Sequence, residues 1–224
     1  MHVASPRIVA FGGWAEDPLW EYVFGLCGRD RPRLLFVPTA AAEDPRSTLD
    51  VYEQFRDRAE VSHLSFFPWP PADLRERALA QDVIVVSGGN TANMLAVWRV
   101  HGFDAVLREA WENGTMLCGG SAGAICWFEA CVTDSFGPQL DGMRDGLGFL
   151  SGSACPHYDG EERRRPCYTE LVRNGFPPGI GIDDCAALRY DGTELAEVLT
   201  TREGSRAYRV SPEGEAPLDA RLLA

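Results

Sequence analysis

Through the first 132 residues the chain repeats one pattern: a short run rich in Val, Ile, Leu and Phe, a turn, and a longer segment with apolar positions at helical spacing. Strands are predicted over residues 7–11 (RIVAF), 33–38 (RLLFVP), 61–67 (VSHLSFF), 82–87 (DVIVVS) and 115–118 (TMLC). Helices are predicted between them, over 17–27, 44–58, 72–80, 91–112 and 122–130. Most of the strands are apolar along their whole length instead of alternating, which is the pattern of a parallel sheet covered by helices on both faces. Asp17 followed by Pro18, and Ala72 preceded by WPP, supply helix starts.

The rhythm changes after residue 132. Residues 133–160 are rich in Gly, Asp, Ser and Pro and read as irregular loop structure of the kind that carries function. Regular structure resumes with a helix over 166–174 and strands over 179–182, 186–190, 197–200 and 207–210. The turns Tyr190-Asp191-Gly192 and Pro212-Glu213-Gly214 fit hairpins, so the C-terminal quarter adds antiparallel strands. The expected architecture is α/β: a mostly parallel sheet flanked by helices in three layers, flavodoxin- or Rossmann-like, with a C-terminal antiparallel addition. No repeat or linker divides residues 1–224, so a single catalytic domain is expected.

Charge narrows the partners. The formal net charge is −12, which disfavours nucleic acid over most of the surface. No run approaches the ~20 apolar residues of a bilayer-spanning helix, and the start MHVASPRIVAFGG lacks the features of a signal peptide. A cytoplasmic protein with no membrane partner, monomeric or homodimeric, is expected. Seven cysteines without a C-x-x-C pair suit neither a disulfide framework nor a structural zinc site. With no H-E-x-x-H or other clustered ligand set, neither metal nor organic cofactor is expected.

The strongest chemical signal is TMLCGGSAGAICWF, in which an apolar strand runs through Gly119 and Gly120 into Ser121, Ala122 and Gly123 and then into an apolar helix. This is G-x-S-x-G in the strand-to-helix setting of a nucleophile elbow, where small neighbours permit the tight turn and the serine emerges at the C-terminal edge of the sheet. There the helix N-terminus and the N–H of Ala122 can stabilise an oxyanion. A second Gly-rich turn, Ser87-Gly88-Gly89-Asn90-Thr91, also joins a buried strand to a helix and reaches the same edge. It lacks the lysine of a P-loop and the third glycine of a dinucleotide fingerprint. Donation of the Gly89 N–H to an oxyanion is the better use, with Asn90 and Thr91 assigned to substrate binding.

A serine nucleophile needs a base, and four histidines are present. His2 is terminal, His63 lies in a predicted strand and His101 at a helix end, which leaves His157 in the segment ACPHYDG. Asp134, Asp159, Asp183 and Asp184 are the candidates for the acid that orients it; only the Asp183-Asp184 pair follows an apolar run, GIGI. The basic run Arg163, Arg164 and Arg165 follows His157 and could read a substrate carboxylate bidentately, or could be surface charge neutralised by its neighbours.

Taken together and in order, FVPTA, SGGNTANML, GGSAGAICW, PHYD, GIDDCAAL and a closing hairpin resemble the S51 peptidases, a family that includes peptidase E, an aspartyl dipeptidase, and cyanophycinase. The resemblance implies a fold related to class I glutamine amidotransferases, catalytic roles for Ser121 and His157, and oxyanion donation by the N–H groups of Gly89 and Ala122. Where much of the family carries a glutamate this chain carries Asp184, with Asp134 as the alternative acid. The expected activity is hydrolysis of short peptides through an acyl-enzyme, with preference for aspartate or for a free terminus. Two alternatives belong to other classes: an esterase of the α/β-hydrolase type, for which the 36 residues between Ser121 and His157 leave too little room, and an inactive binding module of the same fold.

Overall fold

The computed structural model describes residues 5–223; His2 lies outside the described residues. Eight strands form the larger sheet, and five of them make its parallel part: β1 (Arg7–Phe11), β5 (Met116–Gly120), β4 (Val83–Val86), β2 (Arg33–Val37) and β3 (Glu60–His63), adjacent in that order. On the other side of β1 the sheet continues with β10 (Ala186–Asp191), antiparallel to β1, then β11 (Glu194–Thr200), antiparallel to β10, and ends at the short β14 (Arg221–Leu222).

Alternation along the strands explains why they are apolar throughout. In β1, Val9 and Phe11 face one side, where they pack with Leu19, Trp20 and Val23 of α1 (Asp17–Leu26) and with Val51 and Phe55 of α2 (Pro45–Phe55). Ile8 and Ala10 face the other side, toward Met94, Leu95 and Trp98 of α4 (Thr91–Val100) and Leu107 and Trp111 of α5 (Phe103–Glu112). The four inner parallel strands β1, β2, β4 and β5 therefore bury both of their faces, as a helix-covered parallel sheet requires, while β3 at the edge is partly exposed.

Beyond these layers lies a second sheet that the sequence did not announce. Its six strands run in the order β13 (Gly214–Leu218), β12 (Ala207–Ser211), β9 (Gly179–Ile182), β8 (Leu150–Cys155), β6 (Phe128–Thr133) and β7 (Asp141–Met143). Phe128, Cys131, Leu150 and Ile182 join the core shared with the larger sheet, while Ala130, Val132 and Cys155 pack with Tyr168 and Val172 of α7 (Arg164–Arg173). The anticipated antiparallel addition is thus split, with the β10–β11 hairpin extending one sheet and the β12–β13 hairpin the other.

Three expectations are corrected. The helix expected over 122–130 is one turn, α6 (Ala122–Ile125), after which the chain enters β6. The helix expected over 91–112 is two helices, broken where Gly102 takes a φ of 68°, a left-handed conformation that glycine adopts without steric cost. The segment 133–160 contains β7 and β8; LSGSAC carries few bulky β-formers, and its strand state comes from pairing with β6 and β9 on either side.

Glycines at the sheet edge are held by space. A Cβ on Gly123 would lie 2.3 Å from the carbonyl oxygen of Val86, whereas one on Gly25 of α1 would meet nothing within 4 Å. Opposite signs are therefore expected in thermal denaturation. Gly123→Ala should cost about 1–3 kcal/mol through overpacking against backbone, and Gly25→Ala should gain roughly 0.5–1 kcal/mol through helix propensity.

Candidate active site

β4 and β5 are parallel neighbours with Val86 opposite Gly119, so the turns that follow them emerge side by side at one sheet edge. Ser121 sits on the β5 turn with φ 54° and ψ −116°, a conformation that costs a non-glycine residue on the order of 1–3 kcal/mol. Its N–H donates to Phe11 O at 3.2 Å, and the one-turn helix α6 closes back on it through Ala124 N–H to Ser121 O at 2.9 Å. On the neighbouring turn a Cβ at Gly88 would lie 3.5 Å from the Ser121 Cβ. Among the described residues the N–H groups of Gly89 and Ala122 donate to no protein acceptor, which leaves both free for a ligand oxygen.

His157 faces Asp184, with Nδ1 and Oδ1 2.5 Å apart. This contact leaves Nε2 as the nitrogen available to a nucleophile. The histidine is held by its backbone as well: φ is 51°, its N–H donates to Gly12 O at 3.2 Å, and the next N–H, of Tyr158, donates to Ile182 O at 3.0 Å. Asp184 is fixed in turn, its N–H donating to Asp159 Oδ1 at 2.8 Å, while Asp159 Oδ2 accepts from Arg202 at 2.5 Å.

The four candidate acids thus separate by environment. Asp184 meets the imidazole and Asp159 supports Asp184. Asp134 is exposed, and its nearest cation is Arg164 at 4.0 Å. Asp183 is 2% exposed; Oδ2 accepts the Arg206 N–H at 2.9 Å while Oδ1 has no partner, and burial pushes its pKa up to about 6.

Several assigned binding residues are already occupied. Asn90 caps α4, its Oδ1 accepting from Asn93 N–H at 2.8 Å, and its Nδ2 donates to Ser135 O at 2.9 Å. Thr91 is buried, its hydroxyl without a partner. Arg164 is 3% exposed and binds Glu161 and the carbonyl of Val132; Arg165 pairs with Glu215 and lies over the ring of Tyr208. Of the basic run only Arg163 is exposed, with one bond, to Pro138 O at 3.1 Å. The side chains of Thr91 and Arg164 are thus enclosed by protein, the first with a free hydroxyl and the second with protein partners. Helix capping and ion pairing account for those of Asn90 and Arg165.

The sequence reading passed over Gly12 and Gly13. Gly12 O accepts from His157, Gly13 N–H donates to Asp184 O at 3.1 Å, and a Cβ on Gly120 would lie 2.1 Å from Gly13 O. The glycine pair directly after a buried strand was the available signal, the same signal that marks the other two turns at this edge.

All seven cysteines are free, and burial holds the Cys118 thiol, three residues before Ser121, well above its ordinary pKa. Among the described residues no group of His, Cys, Asp and Glu could hold a metal ion, and no helix is long and apolar enough to cross a membrane.

A serine on a tight turn, a histidine paired with a carboxylate and two backbone N–H groups without acceptors, all at one sheet edge, are the components that acyl transfer uses. Residues 13–198 match the profile of peptidase family S51, and the chain belongs to that family. It is 45% identical over 212 residues, 91% of each chain, to a Bacillus subtilis (strain 168) protein described as Uncharacterized peptidase YgaJ. Its fold is similar to that of a peptidase from an acI-B1 Actinobacterium, with a TM-score of 0.68 at 19% identity over 97% of this chain and 96% of that one. It is also similar to a putative peptidase E protein from Listeria monocytogenes EGD-e, with a TM-score of 0.66 at 20% identity over 89% of this chain and 99% of that one.

Two measurements probe the site's supports. A Cβ on Gly160 would lie 1.8 Å from Asp184 Oδ2, so Gly160→Ala must displace that carboxylate while leaving the core untouched. Peptide hydrolysis should fall on the order of 10²-fold, the cost of ~1 Å misplacement, with little change in melting temperature. For Asp183, the raised pKa means that the folded protein binds the extra proton between about pH 4 and about pH 6, so its stability falls as pH rises through that window. Asp183→Asn removes the charge, and the variant's melting temperature should gain on the wild type from pH 4 to pH 6.5. A difference that stays flat with pH would contradict the assignment.

Proposed function

We propose that this protein is a serine peptidase of the peptidase E type that hydrolyses short peptides through Ser121, His157 and Asp184. The observation that carries this reading is the His157–Asp184 contact of 2.5 Å, built at the sheet edge where Ser121 projects in a strained turn. In the proposed reaction His157 Nε2 takes the Ser121 hydroxyl proton as Oγ attacks the peptide carbonyl, and the N–H groups of Gly89 and Ala122 hold the oxyanion. Collapse of the tetrahedral intermediate breaks the C–N bond, with His157 giving its proton to the leaving amine. A water then attacks the acyl-enzyme, again deprotonated by His157, and releases the acid and the free serine.

The available charges support exopeptidase action, on dipeptides among other short substrates. Arg163 is the member of the basic run that retains solvent exposure. The loop whose Pro138 carbonyl it holds is tethered through Ser135 to Asn90, beside the proposed oxyanion turn. A free peptide carboxylate read by Arg163 accounts for this arrangement.

The test is covalent and kinetic. A fluorophosphonate should label Ser121, and Ser121→Ala and His157→Ala should each lower peptide hydrolysis by ~10⁴- to 10⁶-fold, the double variant being little worse because the residues act as one unit. Asp184→Asn should cost roughly 10⁴-fold, with Asp134→Asn near wild type. A folded protein that neither takes the label nor cleaves any peptide would instead be the binding module.

A further inference from the structure

A cavity of about 280 Å³ opens beside the nucleophile, between the Gly88 turn and α2. Gly88 lines it, and a Cβ added there would lie 3.5 Å from the Ser121 Cβ, so the cavity borders the turn that faces the nucleophile. Trp14, Phe36 and Val51 supply apolar walls, and Ser47, Gln54 and Asp50 line the α2 side. The volume lies at the lower end of ligand pockets and suits a single amino-acid residue.

The charge of the lining is informative. Asp50, exposed on α2, is the one charged residue among those lining the cavity, and among the described residues its carboxylate makes no ion pair and accepts no hydrogen bond. Arg46, one helical turn earlier on α2, is exposed, does not line the cavity and makes no ion pair with Asp50. Arg58, just beyond α2, is committed to Asp17 at 2.9 Å and to the faces of Phe24 and Phe55. An acidic side chain entering the cavity would meet a carboxylate and no cation; an amino group would meet an unpaired carboxylate at the rim of an apolar pocket.

We propose that this cavity holds the acyl-side residue of the substrate and that Asp50 selects a positively charged amino group there, either a free peptide N-terminus or a lysine side chain. The inference rests on the peptidase reading and specifies its substrate class: a cationic amino group on the acyl side, in place of the aspartate preference suggested by the resemblance to peptidase E.

The experiment measures kcat/KM for four peptides sharing one leaving residue and carrying on the acyl side alanine, N-acetyl-alanine, N-acetyl-lysine or aspartate, with wild type, Asp50→Asn and Asp50→Arg. If the N-terminus is the group read, alanine should exceed N-acetyl-alanine by roughly ten- to a hundred-fold, the range of a charge-assisted hydrogen bond. If the lysine side chain is read, N-acetyl-lysine should exceed N-acetyl-alanine by a similar factor. In either case Asp50→Asn should collapse the ratio while turnover of N-acetyl-alanine is retained, and Asp50→Arg should improve the aspartyl peptide relative to the others. Ratios unaltered by Asp50→Asn, or an aspartyl peptide as the best wild-type substrate, would overturn the inference and leave the peptidase reading standing. No cleavage of any peptide together with no labelling of Ser121 would overturn both.

Discussion

The structure depends on how closely backbones can approach at the end of β1. Gly12 and Gly13 form a turn that no side chain could enter: a Cβ on Gly12 would lie 2.0 Å from the Asp183 carbonyl oxygen, and Gly13 O occupies the space where a Cβ on Gly120 would be. Through that turn β1 touches the nucleophile strand on one side and the Asp183-Asp184 segment on the other, and accepts the His157 N–H from above. Three segments distant in sequence are held by main-chain contacts, so the proposed catalytic side chains inherit their positions from the rigid part of the sheet.

This hub needs β1 at the centre of the sheet, between parallel β5 and antiparallel β10. The switch of direction at β1 has a chemical consequence. The C-terminal end of β5 delivers Ser121, while antiparallel β10 begins at the same edge and so presents the residues just before it, Asp183 and Asp184. With β10 parallel instead, the segment preceding it would lie at the opposite edge, remote from the serine. The second sheet completes the arrangement, because β8 ends two residues before His157 and β9 ends one residue before Asp183.

The parallel half of the fold was legible in the sequence because its strands are buried on both faces and their apolar runs are unbroken, as in VIVV and RLLFV. The elbow and the histidine were legible because small residues and a single available imidazole leave few readings. The second sheet was hidden, since β6 follows a helical signal and β8 is built of Ser, Gly and Ala, whose strand state is set by neighbours far along the chain. The basic run left two readings open for a related reason. Composition shows three arginines together, but only tertiary structure shows that Arg164 is spent inside the protein and Arg165 against Glu215.

Asp183 and Asp184 show how one residue of offset divides two identical groups. Asp183, directly after β9, is turned inward, where burial favours its neutral form, while Asp184 lies in the turn closed by the Ala186 N–H on Asp183 O and meets the half-buried imidazole. The short side chain of Asp184 reaches His157 because its main chain is drawn to the site at two points, its N–H bound by Asp159 and its carbonyl by Gly13. Gly160, with no side chain, leaves room for the carboxylate between them. A glutamate would have its extra methylene to bridge that distance; here the backbone supplies the reach, so the His157–Asp184 contact depends on Asp159, Gly160 and the Gly12–Gly13 turn as much as on Asp184 itself.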